Sequence, residues 1–264
     1  MKKILFLALP LMVMYFASCE KDNGKDNNGK DDDGKTEQKL VKSLIMEEGY
    51  TISFEYDKNG RIIRTQRTWA HDNSWEITDV TYNDNMIIET VTDSDPGNEI
   101  KEEIIHHLDD NGYLIKAEDK WYYSDETQNS TFGATYEYEN GKLVKIKDID
   151  DSSETATFQW QDNDIITAEW VYEDWIINIK YSNVVENLNI DFTSLFDDCS
   201  YGIASGGIPS RSLHKFKGTT SEHLPQMIDE LMLSYELDSD GYVKTVKIKE
   251  AGDYIPFFHI EYVE

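Results

Sequence analysis

Apolar and polar residues alternate along most of the chain. Ile52, Phe54 and Tyr56 fall on one side of their segment, with Thr51, Ser53 and Glu55 on the other. The same split recurs for Ala156, Phe158 and Trp160 against Thr155, Thr157 and Gln159. It recurs again in the runs Trp175, Ile177, Ile179, Tyr181 and Leu231, Leu233, Tyr235, Leu237. A period of two in segments rich in Thr, Ile, Val and aromatic residues predicts antiparallel strands buried on one face. Several pairs of runs are joined by short polar turns, "DKNG" at 57–60, "DDNG" at 109–112 and "ENG" at 139–141. Asn-Gly supplies the positive φ that tight hairpins require.

An aromatic residue or Leu stands just before successive turns, at Tyr56, Tyr82, Leu108, Tyr138, Trp160 and Tyr181, 21 to 30 residues apart. That interval holds two strands, the spacing of a β-meander. The pattern predicts about fourteen strands from Thr51 onward. A flat sheet of that size leaves long edges and an uncovered apolar face, so it should curl into a barrel or a flattened barrel. The second face carries Glu, Lys, Thr and Asn, unlike the apolar outer band of a lipid-embedded barrel. The expected fold is therefore all-β, an antiparallel meander closed as a soluble barrel-like sheet with its apolar side inward. Residues 193–230 lack the alternation and read as an insertion. "TSLFDDC" and "SEHLPQMIDELM" suggest short helices, the second capped by Ser221, around the Gly- and Ser-rich "YGIASGGIPSRS". Such an excursion plugs or caps a barrel end, or carries a binding surface.

The first 39 residues change the picture of where the domain sits. Lys2 and Lys3 precede an apolar run from Ile4 to Phe16, too short for a stable membrane span and shaped like an export signal. It ends in "FASC", small residues before Cys19, the arrangement that lipoprotein processing requires. Residues 1–18 are thus expected to be a lipoprotein signal peptide and Cys19 the lipidated residue. Residues 19–39, rich in Asp, Asn, Gly and Lys, read as a flexible acidic tether that cannot bury enough surface to order itself. A calcium loop fails on spacing, because counting from Asp26 the fifth position, where a ligand should be, is Lys30. Residues 40–264 remain for one β domain. The expected location is the outer membrane, lipid-anchored and exposed at the cell surface, with the membrane met only through the anchor.

The formal charge is −27. A chain this acidic is repelled by nucleic acid and by anionic lipid. Once Cys19 is lipidated, Cys199 is the only other cysteine. No disulfide within the chain and no Cys-based metal site follow, and the acidic neighbours of Cys199 argue against a reactive thiolate.

Several stretches together resemble the Bacteroidetes lipoproteins that carry domain of unknown function 4595, a family described as porin-like in fold. They are "YDKNGRI", "YENGKLVKI", "IKYSNVVENLNIDFTSLF", "YGIASGGIPSRS" and "YELDSDGYVKTVKI". The acidic residues after Cys19 resemble the surface-export tags of such lipoproteins. The resemblance implies a large antiparallel meander closing as a barrel. It implies no activity and carries over no catalytic residue.

Searches for reactive chemistry end without a site. There is no Gly-x-Ser-x-Gly elbow, no phosphate-binding glycine loop and no His-Glu-x-x-His. His106 and His107 are adjacent, so a regular strand sends them to opposite faces and they cannot chelate one metal. They read as surface or cross-strand histidines. No metal, no cofactor and no catalytic residue are expected. Aromatic residues carry the functional hint: Trp69 and Trp75 flank the tip "AHDNS", Trp121 opens a run of three aromatics, and Trp170 and Trp175 flank "VYED". Rings near loops form stacking platforms for sugars or patches for protein partners. The sequence thus points to a monomeric, non-catalytic binding module for glycan or a surface protein. The alternatives are a structural envelope protein without a small ligand, or a hydrolase acting on glycans, which inward-clustered carboxylates would favour.

Overall fold

A computed structural model of the chain describes residues 38–94, 102–122, 130–151, 153–170, 175–196 and 210–264. Sixteen strands follow one another in sequence: β1 Val41–Met46, β2 Tyr50–Tyr56, β3 Ile62–Trp69, β4 Trp75–Asn83, β5 Met86–Asp93, β6 Glu102–Leu108, β7 Leu114–Trp121 and β8 Ser130–Glu139. The second half comprises β9 Lys142–Asp148, β10 Thr155–Gln161, β11 Asp164–Trp170, β12 Trp175–Val185, β13 His223–Ile228, β14 Leu231–Leu237, β15 Val243–Glu250 and β16 Asp253–Tyr262. Each strand pairs with its chain neighbours, and β1 closes on β16 with Leu44 opposite Ile260, giving a closed antiparallel barrel. The expected meander is present, with sixteen strands where the alternation suggested fewer.

The two rims differ. At the turn rim, Asp-x-Asn-Gly loops are tied by their own aspartates. Asp57 Oδ1 accepts from the amides of Asn59 and Arg61 at 2.8 and 3.0 Å, and Asp109 Oδ1 accepts from Asn111 and Tyr113 at 2.8 and 2.9 Å. Gly60 and Gly112 supply φ of +76° and +82° in these loops. The repeated aromatics have a second role at this rim. Tyr56, Tyr82, Tyr181 and Tyr262 donate their hydroxyls to the carbonyls of Val41, Ile62, Ile165 and Val243 at 2.5, 2.9, 2.6 and 2.5 Å. Trp160 does the same through Nε1 to Leu143 at 2.7 Å. Each bond joins the last turn-rim residues of one strand to the start of the preceding strand, across the open end of a hairpin whose connection lies at the far rim.

Inward residues of every strand form one apolar cluster, from Val41 and Leu44 through Ile104, Leu143 and Ile177 to Phe258. A round barrel of this strand number encloses an aqueous channel. Here wall side chains and the described parts of the segment between β12 and β13 are buried in the interior. That segment leaves and re-enters the wall at the turn rim, where the Glu186 amide donates to Glu222 O at 2.8 Å. Its two legs meet inside, Asp191 N donating to Leu213 O at 2.9 Å. Leu188, Ile190, Phe192, Leu213 and Phe216 are buried on it. Among the described residues its helical element is a 3-10 turn, Thr193–Phe196. The stretch from Ser221 that resembled a capped helix is instead β13, a turn at Asp229 with φ of +51°, and β14. Strand pairing on both sides of β13 overrides its local helical tendency. The irregular segment accordingly spans 186–222.

The outer face carries ion pairs among scattered exposed apolar side chains such as Ile45, Ile63 and Ile176. Arg64 pairs with Asp79 at 2.6 Å, Lys120 with Glu103 at 3.2 Å and His107 with Glu118 at 3.0 Å, while Lys147 pairs with Glu137 and Lys247 with Glu236. Mid-strand ion pairs facing outward are incompatible with an apolar lipid-facing band. The apolar side of the barrel faces inward, as the alternation implied.

Candidate ligand-binding site

The five tryptophans singled out from the sequence all lie at the far rim. Trp69 pairs with Tyr50, Trp75 with Thr68, Trp121 with Glu102 and Trp170 with Trp175. They do not form one surface. Trp69 and Trp121 share the inward face of their strands with Thr65 and Ala117. Trp170 is inward as well and packs against the core. Trp75 is on the outward face, one residue out of phase with Thr78 and Val80. Of Trp175 the backbone pairing alone is described. Trp160 belongs to the turn rim. Tyr122, next to Trp121, is exposed at 38 %; Tyr123, Cys19 and Cys199 lie outside the described residues.

Between Trp69 and Trp121 the inward row near the far rim is charged. Arg67 on β3 stands opposite Glu76 on β4, Glu76 opposite Asp93 on β5, and Val91 opposite Glu102 on β6. Glu102 in turn faces Trp121, two residues beyond Asp119 on β7. The Arg67 guanidinium lies 5.5 Å from the Tyr50 ring centre and 5.8 Å from that of Trp69, with Nη1 3.7 Å from Glu76. Arg67 Nε is buried without an acceptor. At the other end Trp121 Nε1 donates to Asp119 Oδ2 at 2.9 Å, and Asp119 Oδ1 is buried without a donor from the protein. Phe132, opposite Asp119 on β8, is 54 % exposed although it shares the inward parity of Ala134 and Tyr136. Burial pushes the Glu102 carboxyl up to about 7, with Asp119 and Glu76 adding to the shift and Arg211 opposing it. Burial also raises Asp119.

Arg211 comes from the inserted segment. Its Nε donates to both Glu102 oxygens at 3.1 Å, and its guanidinium lies 5.7 Å from the Trp121 ring centre. Deeper in the lumen Glu89, with no exposure, fixes the same segment. It accepts from Ser210 Oγ at 2.5 Å, Ser212 Oγ at 2.7 Å, and the amides of Arg211 and Ser212 at 2.7 and 3.2 Å. His106 Nε2 stands 3.6 Å away. Burial alone would raise the Glu89 carboxyl, but His106 first, and then the Ser210 and Ser212 hydroxyls, outweigh it and hold it down at about 2. A carboxylate so fully engaged serves as an anchor and has no lone pair left for a substrate proton. His106 and His107 do part to opposite faces. His107 is on the outer wall, whereas His106 is fully buried against Phe216 at 4.7 Å between ring centres, so it is not a surface residue.

A recess of about 460 Å³, its open mouth included, lies where the inserted segment meets β11, β12 and β13. Its hydroxyls are largely engaged: Tyr181 and Ser221 bond each other at 2.7 Å, and Thr219 Oγ1 donates to Phe216 O at 2.9 Å. Among the described residues no group of three or more metal-ligating side chains is assembled.

The sequence reading named Trp69 and Trp121 and missed the charged row between them. Its signal was present: Glu89 sits in phase with Ile87 and Val91, Glu102 with Ile104, and Asp119 with Ala117. An ionisable residue at an inward position of an alternating strand demands a partner, and the partners of Glu89 and Glu102 come from more than a hundred residues later in the chain.

The chain belongs to the family described as domain of unknown function (DUF4595) with porin-like fold, whose model matches residues 54–245. Its architecture is similar to a crystal structure of a porin-like protein from Bacteroides uniformis ATCC 8492, with a TM-score of 0.51 and 13% identity over 84% of this chain and 95% of that one. A porin-like protein from Bacteroides vulgatus ATCC 8482 is similar at a TM-score of 0.50 and 13% identity, covering 85% of this chain and 99% of that one. At such identity the likeness concerns the fold alone. No curated protein matches the chain.

Proposed function

We propose that the protein is a glycan-binding module, held on the outer membrane by a lipid at Cys19 and exposed at the cell surface. One observation carries the binding reading: the inward far-rim row sets unsatisfied donors and acceptors between two aromatic platforms. Arg67 Nε lacks an acceptor and Asp119 Oδ1 lacks a donor. A sugar hydroxyl is both donor and acceptor, so a polyol answers both needs at once, while its ring faces stack on Trp69 and Trp121. The platforms sit on β3 and β7, four strand steps apart, or about 19 Å along the wall. That span suits an oligosaccharide. Glu76, Asp93, Glu102 and Asp119 outnumber Arg67 and Arg211, which favours a neutral glycan over an acidic one. The lipid anchor is supported by the short charged leader ending in "FASC" and by an outer wall unfit for a bilayer.

The test is a glycan array probed with the chain from Glu20 onward. Binding of neutral oligosaccharides that falls in both Trp69→Ala and Trp121→Ala, with thermal midpoints preserved, supports the reading. An array without binding, or variants that bind as wild type does, rejects it and favours a structural envelope role.

A further inference from the structure

We infer that the inserted segment takes part in ligand recognition, with Arg211 as its contact residue and Glu89 as the residue that positions it; this rests on the glycan reading above. Arg211 spends its Nε on Glu102. No hydrogen-bond partner holds its two terminal amino groups among the described residues, and neither is buried without one. They form a planar two-nitrogen fork at the level of Trp121. Such a fork spans two neighbouring hydroxyls of a pyranose whose face lies on the same tryptophan.

The fork is held from behind. Arg211 is flanked by Ser210 and Ser212, and both hydroxyls, together with the amides of residues 211 and 212, converge on the Glu89 carboxylate. Ser210 Oγ also accepts from the His214 amide at 2.9 Å, closing the turn. Glu89 is therefore bound to the backbone of residue 211 and Glu102 to its side chain. Two wall carboxylates on adjacent strands leave the guanidinium little freedom. The binding surface is composite, with aromatic platforms from the wall and a donor fork from the insertion. Pre-ordering a rotamer-rich arginine in this way removes an entropy cost from binding.

The experiment is calorimetric titration of the chain from Glu20 onward with cellohexaose, xylohexaose, mannohexaose and maltohexaose. Arg211→Lys keeps the charge and loses the fork. It is expected to weaken the bound sugar on the order of tenfold, the worth of one lost hydrogen-bond pair. A double variant, Arg211→Met with Glu102→Gln, avoids leaving a buried carboxylate unpaired and is expected to lose at least as much. Glu89→Gln, or Ser212→Ala where Glu89→Gln does not fold, is expected to weaken binding in the wild-type background and to add nothing in the Arg211→Lys background. That non-additivity marks action through Arg211 and is not produced by a general loss of stability. If wild type binds a hexaose and both Arg211 variants bind it equally well, the inference falls and the wall site stands. Independent, additive losses from Glu89 and Arg211 overturn the positioning role. If wild type binds none of the four, the glycan reading falls first and takes this one with it.

Discussion

Tyr181 donates its hydroxyl to the carbonyl of Ile165 at 2.6 Å, across the open end of the hairpin formed by β11 and β12. The same relation joins Tyr56 to Val41, Tyr82 to Ile62 and Tyr262 to Val243. At these four positions the recurrent aromatic is thus a clasp as well as a core residue. Burial raises these phenols, Tyr56 and Tyr82 to about 12, so they stay neutral donors at any physiological pH.

Removing one clasp isolates its contribution. Tyr181→Phe keeps the ring and deprives Ile165 O and Ser221 Oγ of their partner. The expected loss is about 1–2 kcal/mol in urea unfolding. Tyr254→Phe, on an exposed residue, is the control and is expected to be neutral. A Tyr181→Phe midpoint equal to wild type would show that the clasp contributes only packing.

Two glycines separate backbone strain from collision. Gly112 has φ of +82° and open space where a Cβ would go, so Gly112→Ala should cost only the left-handed backbone term, about 1 kcal/mol. Gly112→Val should cost somewhat more, because a β-branched residue resists that conformation. Gly218 also has positive φ, and a Cβ there meets the Gly141 carbonyl oxygen and the rings of Tyr113 and Tyr138. Gly218→Ala should therefore exceed the Gly112→Ala loss clearly. Equal losses from the two alanines would contradict the close approach of the inserted segment to the β8–β9 turn.

The buried carboxylates give opposite pH dependences. Glu89 is held at about 2 against an ordinary 4.5. Its contribution is complete above 4.5 and is lost as pH falls toward 2, about 3 kcal/mol in all. Glu186 is raised from 4.5 to about 7 by burial, which Lys215 only partly offsets. Its contribution is complete below 4.5 and fades as pH rises toward 7. Urea midpoints across this range should therefore fall on the acid side in wild type and hold better there in Glu89→Gln. On the neutral side Glu186→Gln should hold better than wild type. Parallel curves for wild type and both variants would remove these groups from the account.

Lipidation has a direct assay. Cys19→Ala is expected to abolish metabolic labelling by a palmitate analogue and to release the protein from the membrane fraction. Labelling that survives the substitution would exclude Cys19 as the anchor.

Much of the wall was legible because each strand declares its inward face locally. Ile52, Phe54 and Tyr56 need no distant partner to be recognised as a buried row, and Asp57-x-Asn59-Gly60 closes its turn with its own side chain. The lumen was not legible. Glu89 is one acidic residue among fifty-two in the chain, and its role appears once Ser210 and Ser212 fold onto it. The stretch around Pro225 was misread because His223–Ile228 is held as a strand by β12 and β14, a tertiary effect that its own composition does not announce. Trp69 and Trp121 were found as rim aromatics, but their distinction from Trp75 depends on which face each strand turns inward.

Val263 donates its amide to Leu40 O at 2.8 Å, so the two ends of the barrel's chain lie side by side at the turn rim. With β1 already paired to β16, nothing in the wall marks where the polypeptide begins. A short linker could join the ends, and the chain could be reopened at the hairpin between β15 and β16 or between β13 and β14 with every strand pairing kept. Circular permutants of this kind would carry their fusion point to the rim that bears Trp69 and Trp121, and a partner domain attached there would cover or expose that surface at will.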